Sequence, residues 1–136
     1  MHHLLNAARD AAGGTNHHLR AIQLPVNLVH ITPLAGALNG VGPVAEAAEA
    51  GLQVWASAPL NGGELVDMVT NELAALINPC LSPVAATLAI VASTPGLTGA
   101  LLSASTAAHW HEALTAFRTP AVPPSHLKEI CHLLRA

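Results

Sequence analysis

Apolar residues fall in two rhythms along this chain, one helical and one of short unbroken runs. Leu4, Leu5 and Ala8 share a helical face and Gly13-Gly14 follows, so the spacing predicts a short helix over residues 2–12. A dense apolar run follows from Leu19 to Val29. Its first half, Arg20 to Leu24, reads as a strand that should end or bend at Pro25, which has no N–H for a ladder. Residues 31–42, with Pro33, Gly36, Asn39, Gly40 and Gly42, read as a loop. Pro43 suits a first helical turn, and the helix it opens closes at Gly51. Residues 52–57 form a second apolar strand, and residues 58–63 a loop.

Leu65, Met68, Val69, Leu73 and Leu76 then recur at helical spacing, predicting one helix over residues 64–77 stopped by Asn78-Pro79. Ser82 is a natural N-cap before Pro83, for a helix to about Ser93. After the Thr94-Pro95-Gly96 break, residues 97–102 read as a third buried strand. Thr106 caps a helix through Phe117, residues 119–124 link onward, and Ser125 caps a closing helix through Leu134. Short apolar strands alternating with helices indicate parallel pairing by right-handed crossovers. With three strands, such a sheet has two open edges and one uncovered face, which parallel sheets normally hide. The pattern is that of a sector of a larger fold.

Composition sharpens this picture. The 136 residues are only 10% charged, well below the ~25% usual in soluble domains, as expected if part of the surface is covered. Net charge is −3 and the five Lys and Arg residues are scattered, which argues against nucleic-acid binding. No basic stretch leads into an apolar one near Met1, so no secretory signal is expected. The apolar run 83–92 is too short for a bilayer, which takes ~20 residues. Two distant cysteines make no disulfide framework, and a reducing, cytoplasmic setting is expected.

The candidate chemistry is sparse. His2-His3, His17-His18 and the His109–His111 pair lack the spacing of metal ligands, since residues two apart on a helix diverge. Cys80 and Cys131 read as buried or half-buried inert thiols. Ser57, Ser103 and Ser105 lack a nucleophile elbow. Gly62-Gly63 is only a weak phosphate-loop signal, and Trp55, inside an apolar strand, reads as core.

Three segments in order resemble the aldo/keto reductases. Ile22-Gln23-Leu24-Pro25-Val26-Asn27-Leu28 is similar to that family's "IQ-x-P-Y-N-L" strand, with Val26 in place of an aromatic. Residues 52–63, LQVWASAPLNGG, are similar to "G-V-x-A-Y-S-P-L-x-x-G". Residues 82–114 pair a helix like "S-P-A-Q-x-A-L" with Pro95-Gly96-Leu97 and Leu101 to Thr106, against the family's "P-G-V-x-x-x-I-P-G-A-R-T". The tail from Val122 to Leu134 resembles the family's closing helix.

The resemblance covers nearly the whole chain and implies an α/β fold: part of a (β/α)8 TIM barrel, its last three strands with their helices, as one C-terminal half-barrel segment over residues 1–136. Sites in that fold sit at the C-terminal strand ends. It also implies a nicotinamide cofactor, NADP(H), with NAD(H) left open. Gln23 would contact the carboxamide. Ser57 replaces the aromatic that stacks on the nicotinamide. Pro59 and Leu60 would lie beside the pyrophosphate, and Ser103, Ser105 and Thr106 around the 2′-phosphate, with Ser105 where a basic residue is common. Glu112 would approach the adenine, His109 stands in place of an arginine or glutamine, and Ala113 in place of an asparagine.

The family's catalytic tyrosine, lysine, aspartate and histidine come from earlier strands. This chain has no tyrosine, and its one lysine, Lys128, lies in the closing helix, so no catalytic residue is expected here. The expectation is thus the cofactor side of an NAD(P)H-dependent carbonyl or aldehyde oxidoreductase, inactive alone. Its partner would be a missing N-terminal half-barrel or a second copy of itself. The alternative is a non-catalytic remnant serving as a binding or dimerisation module.

Overall fold

The segments Ala21–Pro25, Gln53–Ser57 and Gly99–Ala100 pair as parallel strands β1, β2 and β3 in the computed structural model, which describes residues 1–135. Helix α1 (His2–Ala12) precedes β1, and α2 (Thr32–Leu38) and α3 (Gly42–Glu49) connect β1 to β2. A 3-10 turn (Asn61–Gly63), α4 (Glu64–Met68), α5 (Asn71–Ile77) and α6 (Pro83–Ala92) connect β2 to β3. Helices α7 (Ala107–Arg118) and α8 (Pro124–Leu133) close the chain. The fold is therefore mixed α/β around a small open sheet of order β1-β2-β3.

The sheet is one-sided. Strand side chains alternate between faces, and on β2 the buried residues are Val54 and Ala56. They join Val26, Leu34, Val44, Ala47, Ile90 and Leu127 in the main core. Burying an aliphatic side chain of this size contributes about 1.5–3 kcal/mol, so this one face carries most of the fold. On the opposite face Ala21, Gln23, Pro25 and Gln53 are exposed, and Trp55 and Ser57 are half-buried. Trp55 is thus not the core residue expected from its apolar run. The period of two that buries Val54 and Ala56 turns it to the open side.

Helix α6 is covered on two sides and is apolar on every face except at Thr87, whose hydroxyl donates to the Pro83 carbonyl at 2.8 Å. Its Ala86, Ile90 and Val91 belong to the core beneath the sheet. Its Ala85 and Leu88 pack with Ala113 and Ala116 of α7. Ser82 caps it as expected, accepting from the Ala85 N–H at 3.1 Å.

Four local readings change. The segment expected as a loop at 31–42 contains α2, with Pro33 in its first turn and Gly36 inside it. A Cβ on Gly36 would sit 2.8 Å from the Val41 carbonyl oxygen, so the glycine is there for close approach rather than as a breaker. The single helix expected over 64–77 is two, because Val69 is extended and Thr70 caps α5. The third strand is cut to two regular residues. Its neighbour Thr98 uses its side-chain oxygen to accept from the Val54 N–H at 3.0 Å, taking the place of a regular ladder bond. The closing helix begins at Pro124, and Ser125 lies inside it rather than capping it.

Candidate functional site

Because the strands are parallel, their C-terminal ends open on one side of the molecule, and the loops that follow shape that side. The loop after β2 is a tight turn. Ala58 and Asn61 have φ of 47° and 49°, and Gly62 and Gly63 of 70° and 104°. Two non-glycine residues in the left-handed region need outside support. Asn27, fully buried at the end of β1, supplies it for Ala58. Its Nδ2 donates to the Ala58 carbonyl at 2.8 Å, while its Oδ1 accepts from the N–H groups of Val29 at 3.0 Å and His30 at 2.7 Å. Asn61 Nδ2 donates to Glu64 Oε2 at 2.7 Å. One buried amide thus fixes the loops after β1 and β2 to each other.

Between the β2 loop, the β3 loop and α7 lies a groove of two adjoining depressions. One, of about 490 Å³, is lined by Pro59, Leu60, Gly62, Gly63, Leu102 and Ser103 among others. The second, of about 320 Å³, shares Leu60, Gly63, Leu102 and Ser103 and adds Val84, Leu88, Ser105, His109 and Glu112. The floor is aliphatic, the rim carries serine hydroxyls, and no Lys or Arg lines either part.

The groove brings together Pro59, Leu60, Ser103, Ser105, His109 and Glu112 of the expected site residues. Three others stand apart. Thr106 is the N-cap of α7, its hydroxyl oxygen accepting from the His109 N–H at 3.2 Å. Ser57 is half-buried at the end of β2, paired with Pro25, and lines no part of the groove. Gln23 is exposed on the open sheet face, in register with Trp55, in a separate hollow of about 370 Å³. Leu101 borders both that hollow and the groove.

Glu112 is held in place from an unexpected quarter. The Ser82 hydroxyl at the start of α6 donates to its carboxylate, tying α7 to α6 at the groove wall. The two residues are 30 apart in sequence, and no local signal could have joined them. Asn27 was likewise legible only as part of a motif, not as the brace of the β2 loop.

Among the described residues no three His, Cys, Asp or Glu side chains gather as a metal site would need. Cys80 is exposed rather than buried, in the turn after α5, where its N–H donates to Asn78 Oδ1. Cys131 is buried, and burial pushes its thiol up from the ordinary value against a smaller opposing pull from Arg135. Among the described residues no helix is long and apolar enough to cross a membrane.

No protein-family model matches the chain, and no curated protein matches it.

Proposed function

We propose that this chain is the C-terminal, cofactor-side part of an aldo/keto-reductase-like barrel, an NAD(P)H-dependent carbonyl or aldehyde oxidoreductase whose proton donor lies on another polypeptide segment. The observation that carries this reading is the one-sided parallel sheet with a groove at its C-terminal strand ends. A barrel sector has this form, with helices on the outer face and an inner face closed by further strands.

The groove offers a dinucleotide hydrogen-bonding hydroxyls but no positive charge. Ser103 and Ser105 offer hydroxyls at its rim, and with the His109 N–H already taken by the Thr106 hydroxyl, the N–H groups of Ala107 and Ala108 at the start of α7 are left for an anion. With no cation present, NADP(H) and NAD(H) would be held with similar strength. The cofactor would supply hydride. The chain's own residues would bind and orient it, with Gln23 toward the carboxamide from the open face and Glu112 toward the adenine. This reading implies a cytoplasmic, reducing setting, in which both thiols would stay free.

The test is titration of the purified chain with NADPH and NADH, followed by calorimetry. Weak saturable binding of both is expected, with no carbonyl reduction by the chain alone. Ser105→Arg should tighten NADPH by about tenfold with little effect on NADH, since a charge-assisted hydrogen bond contributes about 1.5–3 kcal/mol. No binding of either nucleotide, by the chain alone or with a complementing N-terminal half-barrel, would sink the proposal. A second reading, a non-catalytic interaction module, is favoured by one separate feature, the apolar face beside β3.

A further inference from the structure

Lys128 and His132 on α8, and Arg135 just past its end, follow one another at spacings of four and three, which sets them on one side of the helix. All three line a depression of about 250 Å³ between α8 and the end of α2, whose other walls include Ala35, Asn39 and the buried Cys131. No Asp or Glu lines it. Glu129, their nearest acid in sequence, stands outside the lining. Among the described residues the one ion pair joins the Met1 amino group to Glu46, so none of the three has a carboxylate partner there. The whole chain has five Lys and Arg residues, and two of them, its only lysine included, meet at this one place.

Cations one turn apart on a helix repel, so such a cluster needs a reason. The helix dipole supplies part of it, because positive charge in the last turn stabilises the carbonyl end. That covers His132 and Arg135. It does not cover Lys128, which lies in the first half of α8, outside the reach of a last-turn effect. Nor is Arg135 turned away from the depression, since its charge pulls on the Cys131 thiol in the wall. Across from them, Asn39 Nδ2 donates to the Ala35 carbonyl at 2.9 Å, and an amide nitrogen has a second N–H to give.

We infer that this depression binds a phosphate group, carried by inorganic phosphate or a small soluble phosphomonoester. Lys128 and Arg135 supply two permanent positive charges against a dianion, and the planar arginine fork matches two phosphate oxygens. His132 adds a ring N–H. Size limits the ligand. Pockets for whole small molecules begin near ~300 Å³, so about 250 Å³ takes a phosphate group and little beyond it. The depression shares no lining residue with the groove at the strand ends, so the inference is independent of the cofactor reading.

Titration of the isotope-labelled chain with sodium phosphate and with phenyl phosphate at constant ionic strength, followed by amide NMR, tests it. Saturable shifts in the millimolar range are expected at Asn39 and along residues 128–135, and none in the groove. Lys128→Gln and Arg135→Gln should each weaken binding roughly fivefold, the loss of one exposed charge-assisted contact. Circular dichroism should stay unchanged, because both side chains are exposed. Arg118→Gln, on α7 and outside the lining, should bind phosphate like the parent chain. Acetate, a monoanion, should bind more weakly than phosphate. Shifts spread evenly over Arg9, Arg20 and Arg118 would mean general screening of charge and would overturn the site. Acetate binding as tight as phosphate, or variants at Lys128 and Arg135 that bind like the parent, would overturn it too. Flotation with phosphatidic acid vesicles separates the two sources of the group. Capture by vesicles without binding of soluble phosphate would overturn the inference in favour of a lipid surface.

Discussion

At the scale of single residues, Asn27 carries more structure than any other polar group. It is fully buried and satisfies three backbone groups on two loops. Removing it takes the partner from the Ala58 carbonyl and from two N–H groups, and it frees Ala58 from the contact that holds its left-handed backbone. Asn27→Ala is expected to cost about 2–4 kcal/mol, from net hydrogen bonds of ~1 kcal/mol each plus the penalty for unsatisfied groups. Urea unfolding measures it, and a loss under roughly 0.5 kcal/mol would show that the brace carries little. Gly99 imposes the reverse constraint. A Cβ there would lie 2.8 Å from the Trp55 ring, so the indole can lie over β3 only because position 99 has no side chain.

At the scale of elements, the break between α4 and α5 shows what a period alone misses. The apolar spacing runs on through residues 64–77, yet Val69 leaves the helix and is buried. Thr70 restarts it, its hydroxyl oxygen accepting from the Leu73 N–H at 3.3 Å. The signal was present as a Thr two residues before Glu72, but a strong hydrophobic period outweighed it. The same holds for α2, where Pro33 and Gly36 have the look of breakers although one opens the helix and the other admits the Val41 carbonyl. Caps that stood at the edge of a period, Ser82 and Thr106, were legible because nothing competed with them.

The Glu72 carboxyl is held below its ordinary value of 4.5, first by its own backbone N–H and then by the Thr70 hydroxyl. A carboxyl depressed in the folded state stabilises it fully above the ordinary value, and that contribution fades as pH falls through the lowered one. Thr70→Ala should therefore bring the Glu72 carboxyl back toward its ordinary value and lower stability more near neutrality than in acid. Carboxyl NMR titration with parallel unfolding curves reads both effects, and an unmoved Glu72 would exclude the hydroxyl as a cause.

At the scale of the molecule, the sheet's asymmetry governs its dynamics. The count of three strands, their parallel order and the uncovered face were readable from apolar runs separated by helices. The shortness of β3 was not, because at Thr98 a side-chain oxygen, rather than a backbone carbonyl, accepts the Val54 N–H. The consequence is a graded stability. β2 is paired on both sides and its Val54 and Ala56 are fully buried, whereas β1 and β3 each present a free edge. Amides open either locally or with the whole fold, and those of a doubly paired, buried strand open last. Hydrogen exchange should therefore be slowest in β2 and α6 and markedly faster in β1 and β3. Exchange as slow in β1 and β3 as in β2 would show instead that the sheet opens only as one unit with the whole fold.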